Sequence, residues 1–191
     1  MRALLRISGW IDRLSDGIGR IVYWLVLLAV LVSAGNAVSR YAFNMSSNAW
    51  LEIQWYLFSA IFLLGAGYTL RHNEHIRIDV LSSRFPRRAQ AWIDVFGTLL
   101  FLLPVVLYVF WASWPMVEDS FLRHEISTDA GGLVRWPVKL LIPIGFGLLA
   151  LQGVSELIKR IAFLRGLIAD PFAKPERPAE LEMVQPQGPV S

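Results

Sequence analysis

A chain's chemistry begins with residues that can hold a proton, a metal or a nucleophile, and this sequence offers few of them. It has no cysteine. That excludes disulfides, thiolate metal sites, cysteine nucleophiles and thioether-linked haem. Its histidines are His72, His75 and His124. His75 opens the alternating stretch His75-Ile-Arg77-Ile-Asp79 and could in principle bind a metal. No second ligand stands at helical spacing within an element. His72 is three residues earlier, but both flank a junction dense in arginine, which suits a surface or structural role. All three histidines fall outside the apolar runs described below, which argues against a haem held by two intramembrane histidines. The sequence shows no Ser-His-Asp arrangement, no phosphate-binding glycine loop and no carboxylate pair within one apolar run. It predicts a protein that is not an enzyme and needs no cofactor.

Two polar features remain. Ser33, Asn36 and Arg40 lie at i, i+3 and i+7, which places them on one seam of a helix that is otherwise apolar. Such seams usually face protein, where asparagine bonds across helices for about 1 kcal/mol; a substrate or ion path is the alternative. Glu52 stands near the start of the second apolar run. A carboxylate at the bilayer centre costs roughly 2.5–3.5 kcal/mol on insertion scales and much less near the interface. An ion pair between Glu52 and Arg40 is available across the short connection. A solvated Glu52 and a contact to another subunit are the other readings.

The elements that position these residues follow from composition. Of the 191 residues, 55% are hydrophobic and 17% charged, against roughly 25% charged in an ordinary soluble domain. Mean hydropathy is +0.48. This excludes an ordinary soluble enzyme and points to an integral membrane protein. Runs without charge cover Ile21–Ser39, Ile53–Leu70, Val95–Val117 and Leu140–Ser155. Trp136, Pro137 and Val138 lengthen the last, which is otherwise short of the roughly 20 residues a span needs. The first run also has the outline of a secretory signal: an Arg-bearing start, an apolar stretch, then the small residues Ser33, Ala34 and Gly35. Its 20-residue polar leader is long for that, so a retained signal-anchor helix is expected. Fourteen of the 18 Lys and Arg residues fall in the leader, the second connection and the C-terminal segment. The positive-inside rule then places both termini in the cytoplasm. The net charge of +3 is thus an expression of topology, and no nucleic-acid partner is expected.

The expected fold is an all-α integral membrane protein with four transmembrane helices. Residues 1–20 form a cytoplasmic leader, 21–158 the membrane domain, and 159–191 a basic segment with a proline-rich tail expected to be disordered. In the leader, Leu4, Leu5, Ile7, Trp10, Ile11, Leu14 and Ile18 approach helical spacing, so an amphipathic helix on the leaflet is expected. Gly17 and Gly19 offer a bend before span one; the alternative is a span that simply begins early. Gly65, Ala66 and Gly67 in span two, and Gly145, Gly147 and Gly153 in span four, allow close helix approach. Pro104 and Pro143 imply kinks. The outer loop from Glu118 to Arg135 carries Glu118, Asp119, Glu125 and Asp129 against Arg123 and Arg135. Trp50, Trp92, Trp114 and Trp136 near span ends fit an aromatic belt.

Several short stretches taken together resemble a known family. They are Asn36-Ala-Val-Ser-Arg40-Tyr-Ala-Phe43-Asn44, Trp50-Leu-Glu52, Gly65-Ala-Gly67-Tyr68 with Leu70-Arg71, and His75-Ile-Arg77-Ile-Asp79. Glu125-Ile-Ser127 and Ile142-Pro143-Ile-Gly145 continue the pattern. Their order and spacing resemble the small membrane subunit of tripartite ATP-independent periplasmic (TRAP) transporters. One departure is Ile53, where many members carry a second acidic residue. The resemblance implies a place in the bacterial inner membrane and two protein partners. One is a large membrane subunit that moves substrate and sodium; the other is a periplasmic binding protein that delivers a small organic acid. It makes the motif residues candidates for packing or subunit contact. The outer-loop charges, with Ser127, become candidates for docking the binding protein. The alternatives are a membrane anchor for a respiratory enzyme and a small homo-oligomeric channel or exporter.

Overall fold

A computed structural model describes residues 1–44, 47–72 and 85–169. Among these the chain is helical, with four helices long and apolar enough to cross a membrane. Helix α1 covers Arg2–Ala42 and α2 covers Asn48–Arg71. The third span is segmented: α3 (Arg87–Gly97), a π-helical turn (Thr98–Leu102), α4 (Leu103–Ala112) and α5 (Trp114–Leu122). Helix α6 covers Trp136–Leu164. His75, Arg77 and Asp79 lie outside the described residues.

The leader is the first half of α1, with no break at Gly17 or Gly19. Gly19 serves another purpose: a Cβ there would stand 2.2 Å from the ring of Tyr68, so its lack of a side chain lets α2 close on α1. The leader keeps its two faces. Leu4, Ile7, Trp10 and Leu14 are exposed, while Ser8 and Ser15 are buried.

Three prolines act where their missing N–H dictates. Pro104 cannot donate to the carbonyl four residues back, and its ring crowds that carbonyl. The helix answers with the π turn just before it, closed by Leu103 N–H on the carbonyl of Thr98. Pro115 and Pro137 sit in the first turns of α5 and α6, where no intrahelical donor is needed. Helix α5 runs on to Leu122, so Glu118 and Asp119 are helical and the outer loop begins at Arg123 rather than at Glu118. Pro143 leaves α6 unbroken in secondary structure and is itself buried. Including Trp136–Val138 and the residues after Ser155, α6 reaches 29 residues, so the span that looked shortest in sequence is amply long.

Helix α6 is the hub of the bundle. It packs on α1 and α2 along one side and on the third span along the other. Glycines set both contacts. A Cβ on Gly145 would stand 2.7 Å from the carbonyl oxygen of Leu63 on α2. One on Gly153 would stand 2.8 Å from Leu102, and one on Gly147 3.2 Å from the ring of Phe110. Gly67 faces the carbonyl of Leu148 at an ordinary 3.5 Å, and Gly65 has only Val22 at 3.7 Å. Of the five glycines expected to pack, Gly145 alone would set a methyl under 3 Å from backbone; Gly153 meets only the end of the Leu102 side chain. Gly145→Ala should therefore lower stability by about 1–3 kcal/mol, as overpacking does. Gly65→Ala should stay within about 0.5 kcal/mol of the parent. Thermal unfolding of the two variants in one detergent checks the contrast.

Candidate functional site

At the end of the bundle away from the start of α1, the loop between α5 and α6 folds onto the start of α2. The loop closes on itself through an antiparallel bridge between Ile126 and Val134. Ser127 N–H donates to Leu133 O at 2.9 Å, and Arg135 N–H to Glu125 O at 2.9 Å. Gly131 turns the chain at φ +74°. Three residues of one α2 face then hold the loop. Asn48 Nδ2 donates to Ala130 O at 3.1 Å, and Tyr56 OH to Val134 O at 3.0 Å. Between them, Glu52 Oε2 accepts the Leu133 N–H at 2.6 Å. Ser127 and Arg135 supply further attraction to the same carboxylate. A Cβ at Gly132 would stand 2.9 Å from Glu52 Oε1 and 2.3 Å from Ser127 Cβ, so the loop approaches this closely only with glycine there. The partners of Glu52 are thus loop groups, and the expected pair with Arg40 is not formed. The face that carries positions 48, 52 and 56 is occupied by the loop, while Arg40 is exposed.

The other candidates divide between this clasp and its surroundings. Ser127 Oγ accepts from Asp129 N and from Arg135 Nη2, each at 3.3 Å. Glu125 pairs with Lys139, which holds its carboxyl below the usual carboxylate range. Asp119 and Arg123 pair across one helical turn at 2.6 Å. Ser33 and Asn36 are half-buried on α1. Ser33 lines an apolar groove of about 470 Å³ between α1 and α2, with Ala29, Ala37, Phe58 and Ile61.

A second polar cluster lies at the end where α1 begins and α6 ends, on residues that charge and hydropathy do not single out. Asp12 is its centre. Its Oδ1 accepts from Ser155 Oγ at 2.8 Å and Gln152 Nε2 at 3.0 Å, and Lys159 Nζ reaches its Oδ2 at 3.3 Å. Ser15 Oγ donates to Gln152 Oε1 at 2.7 Å, and the hydroxyls of Ser8 and Ser155 share a bond of 2.7 Å. Lys159 also meets Glu156 Oε1 at 2.6 Å. Arg71, at the end of α2, donates to the Asp12 carbonyl and pairs with Asp16. Arg160 pairs with Asp94 of α3 at 2.7 Å. All four spans are tied in one layer. Gln152 and Ser155 were hidden because they carry no charge and so did not interrupt an apolar run. The available signal was spacing: residues 8, 12 and 15 share one helical face, as do 152, 155, 156 and 159.

Known proteins place this architecture. The family model for tripartite ATP-independent periplasmic transporters, DctQ component, matches residues 29–163. The chain belongs to that family. It is 27% identical over 179 residues to the ectoine TRAP transporter small permease protein TeaB of Halomonas elongata, covering 89% of this chain and 90% of the relative. It is 29% identical over 134 residues to the C4-dicarboxylate TRAP transporter small permease protein DctQ of Pseudomonas aeruginosa, covering 69% of this chain and 61% of the relative. As a TRAP small permease it is a multi-pass protein of the bacterial inner membrane and one component of a transporter, not an enzyme.

For this small permease the clasp gives a decisive double-mutant cycle. Glu52→Ala strands the Leu133 N–H and frees the loop, so Glu52→Ala and Ser127→Ala should couple by about 0.5–3 kcal/mol. Glu52→Ala and Arg40→Ala should add without coupling, since the pair is not formed. Thermal unfolding of the singles and doubles reads both. Acid should loosen the same loop. The carboxyl of Glu125 is depressed in the folded state, so its contribution is present above the unfolded pKa and fades as pH falls through the folded one. Amide protection at Ser127 and Arg135, corrected for the intrinsic pH dependence of exchange, should fall over that window in the parent, and Glu125→Gln should flatten the response.

Proposed function

We propose that this chain is a scaffold subunit. It holds a large carrier subunit in place while that subunit performs sodium-coupled uptake of a small organic acid delivered by a periplasmic binding protein. The observation that carries this reading is where the polar groups lie. The charged hydrogen-bonded clusters gather at the two ends of the bundle and are turned inward onto one another. Secondary transporters place substrate and coupling ions near the midplane, on broken helices. The middle of α2 instead shows Trp55, Phe58 and Phe62 outward, an aromatic face on the same side as the α1–α2 groove. That face suits a large apolar partner. The relatives are named for different solutes, ectoine and C4-dicarboxylate, which supports a small subunit that leaves solute choice to its partners.

The topology in this reading puts both termini in the cytoplasm and the clasped loop in the periplasm. There its exposed charges, including Glu118, Asp119, Arg123 and Asp129, meet the binding protein, and the attraction weakens as salt rises. Reconstituted uptake and co-purification yield, measured together, test the division of labour. Charge-removing substitutions at Arg123 or Asp129 should reduce uptake at limiting binding protein and leave the two membrane subunits associated. Phe58→Ala with Phe62→Ala should reduce the amount of assembled complex. A reporter fused after Ser191 should behave as cytoplasmic. A variant at Arg40 or Glu52 that assembles fully but shifts sodium or substrate affinity would overturn the scaffold reading.

A further inference from the structure

Four arginines of α1 share one line. At 3.6 residues per turn, Arg2, Arg6, Arg13 and Arg20 fall within about 40° of one another around the helix axis, in a row about 27 Å long. All four are exposed. Among the described residues none of them forms an ion pair, and Arg13 lies over the Trp10 ring at 5.8 Å. The positive-inside rule counts such charges and is indifferent to the face they occupy, so their alignment is a separate fact. The row points away from the rest of the protein. The buried residues of α1 are Ser8, Ser15, Gly19 and Ala29, and they lie at least about 100° round the axis from it. Ile7, Trp10 and Leu14 are exposed on the face beside the row. Toward the span the same line continues as Trp24, Leu31 and Val38, also exposed.

We propose that this row binds the head groups of anionic phospholipids. The lipids belong to the leaflet on the side where α1 begins, the cytoplasmic one in the topology proposed above. The guanidinium forks hold the phosphates, while Ile7, Trp10 and Leu14 enter the acyl boundary as the leader leans on the leaflet. Three observations select this ligand. The row has no point of convergence, since Arg6, Arg13 and Arg20 stand about 10.5 Å apart along the axis, so it suits several head groups and not one small anion. The apolar face beside it excludes a purely ionic partner. An acidic protein segment lying on the arginines would leave Ile7, Trp10 and Leu14 in water, whereas an interfacial helix buries its apolar face about 5–10 Å deep and keeps its basic residues among the head groups. The third is continuity. Arg20 directly precedes the charge-free run that starts at Ile21, so the helix already stands in the membrane and the leaflet is present at the row without any association step. The cytoplasmic leaflet carries a negative surface potential that attracts such residues.

The test uses the full chain, alone and with its large partner subunit. The sequence has no cysteine, and a Cβ at Gly9 would meet nothing within 4 Å, so Gly9→Cys gives a single labelling site between Arg6 and Arg13. A bimane there is followed in nanodiscs of phosphatidylcholine and phosphatidylglycerol in equal amounts. A nitroxide high on the acyl chain is carried in turn by a trace of either lipid, so quenching reports which lipid touches the leader. Both leaflets have the same composition, so the result is independent of orientation, which the reporter after Ser191 tests by itself. At low salt, nitroxide phosphatidylglycerol should quench at about fivefold lower mole fraction than nitroxide phosphatidylcholine, the worth of one arginine near an anionic surface. The factor should shrink as salt rises. Arg6→Gln with Arg13→Gln should bring the two lipids close to equal, with circular dichroism confirming the fold. Equal quenching in the parent overturns the proposal, as does a preference that survives the double substitution. Quenching by neither lipid overturns it by leaving the leader in water. Loss of the preference whenever the large subunit is bound also overturns it, by giving the row to an acidic segment of that partner.

Discussion

The close crossing of α2 over α6 governs the molecule. In lipid, apolar side chains gain little by leaving one apolar surrounding for another, so helices associate through tight packing and interhelical hydrogen bonds. Gly145 against the Leu63 carbonyl supplies the tightest of these backbone approaches. It fixes how far apart the two helices stand, and both polar clusters depend on that distance. Toward one end, α2 must carry Asn48, Glu52 and Tyr56 up to the loop that leads into α6. Toward the other, Arg71 must reach α1 where α1 meets Gln152 and Ser155.

The clusters repay that precision differently. The loop clasp relies on backbone groups, with Leu133 N–H, Ala130 O and Val134 O all held by α2 side chains. It therefore constrains loop shape more than loop sequence, apart from Gly132. The layer near the termini relies on side chains whose donors and acceptors interlock, and Gln152 and Ser155 are wholly buried there. Removing one partner from such a layer leaves the others without water and without a bond, so it specifies a single relative placement of the spans.

Much of the architecture was legible because apolar length and the absence of charge are read directly against bilayer thickness. The four spans and the family motifs followed from that and from order and spacing. What stayed hidden was pairwise geometry. Glu52 was matched to Arg40, the nearest opposite charge in sequence, because a backbone N–H eighty-one positions away leaves no trace in composition. Gly19 read as a hinge because a glycine's freedom is local, whereas its contact with Tyr68 is tertiary. Gln152 and Ser155 passed as ordinary members of a span, since neutral polar groups scarcely change a hydropathy run. Glu118 and Asp119 read as loop because charge marks the end of an apolar run and not the end of a helix.

The unbroken course of α1 has a mechanical meaning. At 1.5 Å per residue its 41 residues measure about 61 Å, twice the roughly 30 Å hydrocarbon thickness. An untilted rod of that length would stand about 30 Å clear of the hydrocarbon, and one lying wholly inside would have to recline steeply. The layer around Asp12 and Gln152 braces it against α6 about a quarter of the way along. A push on the first turns of such a braced rod is carried along an unbroken helix and shared with α2, on which α1 packs beyond that fulcrum.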